Sequence, residues 1–356
     1  MSEKAHVVVA MSGGVDSSVA AALLVDQGYR VTGMMLRLWS EEGKEDSNRC
    51  CTPDAMAQAR RVAAQLGIPF YALDVQGPFH RQVVQSFLDG YRSGVTPNPC
   101  TVCNRHIRWG FLMDHARAFG GDFMATGHYA RIHRSGDSVV LLRGVDKKKD
   151  QSYVMSVLSQ EQLRKTIFPL GELTKPEVRE IARQHRLAAA ERADSQDLCF
   201  LAGEDYRDFL RRHAPDAGRP GRILNTAGEV VGEHQGLPFY TIGQRKGLGI
   251  AAPEPLYVLE KRVAANELLV GTQDELGHGE MRIGPVNWID GQGPAEPVRA
   301  EVKIRYQAAL AEAVVTPQPE ESAHVVFDHP LRDITPGQLA ALYQGEKVLG
   351  SGMILS

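Results

Sequence analysis

Ser12-Gly13-Gly14-Val15-Asp16-Ser17-Ser18 is the segment whose residue types and spacing most plainly carry chemistry. It falls between a short β-branched run, His6–Met11, and a helical pattern that opens at Asp16. Two adjacent glycines let the backbone turn tightly and come close to a ligand. Ser17, Ser18 and the following amides stand at a helix start, where unsatisfied N–H groups and the macrodipole favour an anion. The expected ligand is a pyrophosphate or the phosphates of a nucleotide. The segment is not a Walker loop, because no Gly-Lys-Ser/Thr follows. A tight strand-to-helix turn capped by Ser and Asp is the simpler alternative.

The cysteines are the second candidate group. Asn98-Pro99-Cys100-Thr101-Val102-Cys103-Asn104 contains a C-x-x-C, Cys199 lies in Asp197-Leu198-Cys199-Phe200, and Cys50 and Cys51 are adjacent. A thiol attacks as its thiolate, so a reactive cysteine needs a cationic surrounding. Arg105, His106 and Arg108 follow Cys103 closely enough to provide one. Inert buried cysteines, or a zinc site using Cys100, Cys103 and two others, are the alternatives. The adjacent Cys50-Cys51 pair is not the second C-x-x-C of a zinc ribbon, and buried packing residues is the expectation for both. Five cysteines in 356 residues do not make a disulfide scaffold.

These groups need a scaffold, and the chain spells one. Apolar runs at His6–Met11, Arg30–Leu38, Pro69–Val75 and Phe123–Thr126 read as strands. They alternate with helical patterns from Asp16 to about Gln27 and at Asp54–Leu66, Phe79–Arg92 and Ile107–Phe119. Alternation of this kind predicts right-handed crossovers and a doubly wound parallel sheet, with ligands outside the carboxyl ends of the strands. Helices are expected at Ser159–Phe168 and Lys175–His185, the latter opened by Thr174-Lys175-Pro176-Glu177 as a capping box with Pro in the first turn. From about Pro215 glycine and proline become frequent. Short segments at Glu254–Glu260, Glu267–Val270, Val298–Tyr306, Glu312–Thr316, His324–Phe327 and Lys347–Leu355 read as strands of an antiparallel β region, a barrel.

Composition sets limits. At 43% hydrophobic and 23% charged residues the chain is an ordinary folded protein of two or three domains. It holds no apolar run near the ~20 residues that span a bilayer, and the N-terminus lacks the pattern of a signal peptide. The expectation is a cytoplasmic protein with no membrane partner. A net charge of −3 gives no global attraction to nucleic acid. Local basic runs at Arg143/Lys147/Lys148/Lys149 and Arg211/Arg212/His213/Arg219/Arg222 would have to hold a polyanion, unless they are simply solvated surface.

The phosphate loop resembles that of the ATP pyrophosphatase superfamily, and the chain as a whole is similar to the tRNA-uridine 2-sulfurtransferase (tRNA-specific 2-thiouridylase) family. The carriers are SGGVDSSVA (12–20), TPNPCTVCNR (96–105), ATGHYAR (125–131), KDQSY (149–153), DLCF (197–200), GEHQGLPFYTIGQRKGLGI (232–250) and TPGQ (335–338). The resemblance implies a catalytic α/β domain with a helical extension over residues 1–203, a central domain over 204–278 and a C-terminal β-barrel over 279–356. It implies ATP-dependent 2-thiolation of the wobble uridine of tRNA, with ATP and Mg²⁺ as cofactors. The implied partners are the tRNA anticodon arm and a persulfide donor protein or other sulfide source.

By the same resemblance Ala10, Met11, Ser12, Gly13, Gly14, Val15, Asp16 and Ser17 hold ATP; by its type and position alone, Asp16 is a candidate for organising Mg²⁺. Leu36 and Gly127 line the nucleotide. Cys103 is the nucleophile and Cys199 the persulfide carrier. Asn98, Pro99 and Cys100 form a loop at the target base. His128, Lys149, Asp150, Gln151, Arg305, Tyr306 and Gln338 contact tRNA, with Lys303 and Arg245-Lys246 adding local charge. Many relatives have Asp where this chain has Cys100. The substitution opens an alternative in which Cys100, Cys103 and Cys199 hold a [4Fe–4S] cluster with one open iron. Rival readings are another ATP-pyrophosphatase ligase, whose chemistry does not call for two cysteines, or an RNA-binding module with a vestigial nucleotide fold.

Overall fold

The computed structural model describes residues 4–44, 52–191 and 198–356. Cys50 and Cys51, for which packing roles are expected, lie outside the described residues.

The β-branched run forms β1 (His6–Ala10), and the pattern after the glycines forms α1 (Val15–Asp26). Then come β2 (Arg30–Arg37), α2 (Pro53–Leu66), β3 (Phe70–Asp74), a helix α3 over residues 76–92, a helix α4 over residues 99–118, and β4 (Phe123–Ala125). A hairpin follows, β5 (Ala130–Ser135) and β6 (Ser138–Arg143), then α5 (Ser152–Met155), α6 (Gln160–Arg164), β7 (Thr166–Ile167) and α7 (Lys175–Gln184). The parallel sheet has strand order β3-β2-β1-β4-β7. The chain winds outward from β1 to β3 and returns on the other side at β4, so the crevice between the carboxyl ends of β1 and β4 is the switch point where such sheets take ligands.

Two expected elements differ. The helix foreseen at Ile107–Phe119 begins at Pro99, because proline at the first helical position needs no N–H partner. Its Cys103–Leu112 segment is wound as a π-helix. The helix expected at Ser159–Phe168 stops after Arg164, and β7 adds an edge strand to the sheet. The capping box at Thr174 and Glu177 is present.

After α8 (Tyr206–His213) the central region builds a four-stranded sheet from β8 (Gly221–Leu224), β9 (Val230–His234), β10 (Tyr257–Arg262) and β11 (Glu267–Gly271). This sheet is not wholly antiparallel, since β11 runs parallel to β8. The C-terminal strands are β12 (His278–Ile283), β13 (Asn287–Trp288), β14 (Val298–Lys303), β15 (Ala311–Gln318), β16 (Ser322–Leu331), β17 (Leu339–Gln344) and β18 (Lys347–Met353). Their order is β12-β16-β15-β14-β17-β18, and an Ile283–Ile354 bridge brings the last turn back to β12 and closes an antiparallel barrel. The β5–β6 hairpin joins β18 through the Lys347–Leu142 pairing, so a hairpin that follows the parallel sheet's β4 and the strands of the C-terminal barrel share one sheet.

Candidate active site

The loop between β1 and α1 is fixed from several sides. Met11 N donates to Met34 O on β2 at 2.7 Å, and Gly13 has φ +74°, a conformation that needs glycine. Gly14 caps α1 in extended backbone, and its carbonyl accepts from Ser18 Oγ at 2.8 Å and Ser17 Oγ at 3.2 Å. Ser12 N donates back to Ser17 Oγ at 3.1 Å. The first amides of α1 therefore face a pre-shaped mouth. Gly127, just beyond β4, lies against this turn: a Cβ there would stand 2.7 Å from Asp16 C and 2.8 Å from Ser17 N. Leu36, near the carboxyl end of β2, flanks the crevice.

Asp16 is not held open for a metal. Its carboxylate accepts from Lys175 Nζ at 2.7 and 2.9 Å and from Tyr129 Oη at 2.8 Å. Lys175 comes from the first turn of α7 and is almost buried at 8% exposure. Tyr129 is in turn gripped by Gln151, which donates its backbone N–H to Tyr129 O at 2.8 Å and accepts from Tyr129 N on Oε1 at 3.0 Å. Gln151, expected at the tRNA surface, thus braces the phosphate loop. Asp150 is also an internal group and not a surface contact. It is buried and accepts from Gly144 N (2.9 Å), Ser152 N (3.0 Å) and Ser152 Oγ (3.1 Å), with Arg143 Nε at 3.4 Å. Such a carboxylate is held by its donors and would be costly to strip of them. Lys149 anchors its backbone N–H on Asp146 O at 3.0 Å. Asp146 also receives the Lys175 backbone N–H at 2.9 Å.

Cys103 is buried in an apolar cluster with Phe79, Phe87, Ile107, Phe200 and Leu201, against which Leu36 and Cys199 also pack. Cys103, Cys199 and Leu36 therefore all belong to or border this one cluster. Cys100, one turn before Cys103, is exposed. The helix aims its two cysteines into different surroundings, and among the described residues no group of three His, Cys, Asp or Glu is placed to hold a metal ion. Among the described residues, neither the three-cysteine [4Fe–4S] site nor a zinc site fits this arrangement. Among the described residues Mg²⁺ likewise finds no protein cage, and it would enter with the ATP phosphates, as that ion commonly does.

The remaining expected contacts fall into two groups. Asn98, the N-cap of α4, and Cys100 adjoin Tyr153 and Tyr306. Burial raises the Tyr153 phenol while a bond to Asn98 opposes it; burial, then Asp150 and Cys100, raise that of Tyr306. Tyr306 is 40% exposed, with Lys303 Nζ 5.7 Å from its ring. Gln338 is engaged internally: its amide donates to Thr96 O at 2.9 Å and Pro97 O at 3.3 Å, while Thr96 N donates to Pro336 O at 2.9 Å. The barrel thereby holds the segment that leads into α4. His128 bonds Thr126 Oγ1 at 2.8 Å and meets Arg108 Nη1 at 3.4 Å. Desolvation, then the Arg108 charge, push its imidazole down to about 3.

Of the basic runs, Lys147 and Lys148 are exposed. In the second run Arg211, Arg212 and Arg222 pair with Asp208, Glu41 and Glu267. Arg305 pairs with Asp333 at 2.5 Å on the rim of a cleft of about 800 Å³, which Arg207, Arg211 and Lys246 also line. Lys175 and Tyr129 were missed from sequence. The capping box marked the helix that delivers Lys175, but no local signal linked it to Asp16.

Residues 5–203 match the family model described as the tRNA methyl transferase HUP domain, 207–272 the PRC-barrel domain of that name, and 278–354 the aminomethyltransferase beta-barrel domain. The chain is 48% identical over 98% of its length to the tRNA-specific 2-thiouridylase MnmA of Roseiflexus castenholzii, covering 99% of that protein. It is 46% identical to that of Symbiobacterium thermophilum, covering 98% of this chain and 92% of the relative, and 44% identical to that of Carboxydothermus hydrogenoformans, covering 98% and 97%. The chain belongs to the tRNA-specific 2-thiouridylase family, a family of tRNA sulfurtransferases.

Proposed function

We propose that this protein uses ATP to replace the 2-oxygen of the wobble uridine of tRNA with sulfur. The observation that carries the reading is that Cys103 and Cys199 belong to one apolar cluster, against which Leu36, from the strand paired beside the one that leads into the phosphate-type loop, also packs. A uridine C2 carbonyl is a poor electrophile with a poor leaving group. Attack of its O2 on the α-phosphorus of ATP releases pyrophosphate and makes that oxygen part of AMP. The loop amides at the α1 N-terminus offset the charge that develops on phosphate.

Sulfur arrives as a persulfide on Cys199, received from a persulfide donor. Its terminal sulfur attacks C2 and AMP departs, after which the Cys103 thiolate attacks Cys199 Sγ and leaves the outer sulfur on uridine. Alternatively Cys103 attacks first and releases hydrosulfide, which then displaces AMP. Both routes end in a Cys103–Cys199 disulfide, which a thiol reductant reopens with two electrons. The base leaves its stack to reach the site. The exposed Lys147 and Lys148, the Tyr306 surface and the basic cleft support backbone contact with a folded RNA.

The test is tRNA thiolation by protein purified without oxygen, with ATP, Mg²⁺, a persulfide donor and a thiol reductant. Thiolated wobble uridine is expected. Cys103→Ser and Cys199→Ser are expected to abolish it while still releasing pyrophosphate. Full thiolation by both variants would overturn the roles given to these thiols, and no thiolation by wild type with pyrophosphate still released would support another ATP-dependent ligase.

A further inference from the structure

The loop at residues 11–18 has no lysine or arginine of its own and contains a carboxylate, Asp16, in the first turn of α1. Multiply charged phosphate approaching this mouth meets like charge unless a cation is supplied from elsewhere. Lys175 supplies it. The residue is 8% exposed, its backbone N–H is tied to Asp146 Oδ2 at 2.9 Å, and its ammonium bonds both oxygens of Asp16. Asp16 itself keeps a third of its side-chain surface open, so the ion pair sits at the wall of the mouth and not deep beneath it. Tyr129, bracketed by Gln151, holds the same carboxylate from another side and leaves its position fixed while the lysine moves. An ammonium on a flexible stem can exchange one oxyanion for another without rebuilding its surroundings.

We propose that Lys175 is a further catalytic residue: Asp16 holds its ammonium at the loop until ATP binds, and the ammonium then bonds the β,γ-phosphate oxygens. When uridine O2 attacks the α-phosphorus, the bond from that phosphorus to the bridging oxygen breaks. The electron pair goes to pyrophosphate, where Lys175 meets the new charge. This inference rests on the proposed adenylation of tRNA, but binding of pyrophosphate tests it apart from thiolation.

The experiment compares wild type, Lys175→Met, Lys175→Arg and the double variant Asp16→Asn/Lys175→Met. Calorimetric binding of inorganic pyrophosphate is measured without tRNA, and pyrophosphate release is followed in single turnovers with ATP and tRNA. In Lys175→Met, release is expected to fall about a hundredfold, the scale of losing one donor to a developing anion, with pyrophosphate affinity falling as well. Lys175→Arg is expected to recover part of both. The double variant removes the carboxylate that the single change orphans, so it keeps the comparison available if Lys175→Met unfolds, and it is expected to remain as impaired. Wild-type affinity and release in the double variant would overturn the proposal and leave Lys175 as a neutraliser of Asp16. Failure of the functional reading has a different signature: wild type that binds pyrophosphate through Lys175 yet yields no thiolated uridine.

Discussion

Lys261, on β10 opposite Leu268, is half-buried as a residue, but its ammonium nitrogen is enclosed with no hydrogen-bond partner. Burial alone lowers it from 10.5 to about 8. At 1.36 kcal/mol per pH unit, that lowering corresponds to about 3 kcal/mol. The sign follows from proton counts. Below pH 8 both states carry the charge and the folded state bears the whole desolvation penalty. Between pH 8 and 10.5 the unfolded chain holds a proton that the folded one has shed, so stability rises with pH and the penalty disappears. Lys261→Met keeps the length of the side chain and removes the charge. It should stabilise the central sheet by about 3 kcal/mol at pH 7 and by only about 1 kcal/mol at pH 9.5. Urea titrations at the two pH values, read by hydrogen exchange of β10 and β11 amides, assign the gain to that sheet. A variant no more stable than wild type at pH 7, or a gain that does not change with pH, would refute the picture of a buried unpaired cation.

Three further outcomes are expected. Gly127→Ala places a methyl 2.7–2.8 Å from the Asp16–Ser17 backbone, so ATP binding measured by calorimetry should fall at least about tenfold, as expected when a loop donor is displaced. Asp150→Ala leaves the Gly144 and Ser152 N–H groups without their acceptor. Chemical denaturation should show a loss of about 3 kcal/mol, while tRNA affinity of the folded protein stays within a few-fold of wild type. His128, held down to about 3 by burial and Arg108, is neutral at pH 7 when folded. Its imidazole NMR shifts should show no transition near 6.5, and stability should decline as pH falls from 6.5 towards 3, because only the unfolded chain takes up that proton.

The parallel sheet and its loop were legible because their signals are local. Paired glycines between a β-branched run and a helical pattern specify the turn with no help from the rest of the chain. What the sequence concealed was long-range. Nothing in Ala130–Arg143 says that the hairpin will extend a sheet whose nearest strand is Lys347–Met353. Asp150 looks like a surface residue beside three lysines, and only the fold turns it onto Gly144 and Ser152. Cys100 and Cys103 look like a pair of ligands until the helix is seen to begin at Pro99, which sends one thiol into the core and leaves the other exposed.

The hold of Gln338 on Thr96 has a consequence for how the enzyme is made. The two residues are 242 positions apart, so at about 5–20 residues per second the ribosome needs roughly 12–48 s to deliver the second after the first. Throughout that interval the nascent chain can fold its phosphate loop, whose contacts are nearly all early in sequence, but the seat of the cysteine helix is unfinished. The phosphate-type loop and the seat of the cysteine helix are thereby completed at different times during synthesis, the latter only when almost the whole chain has been made.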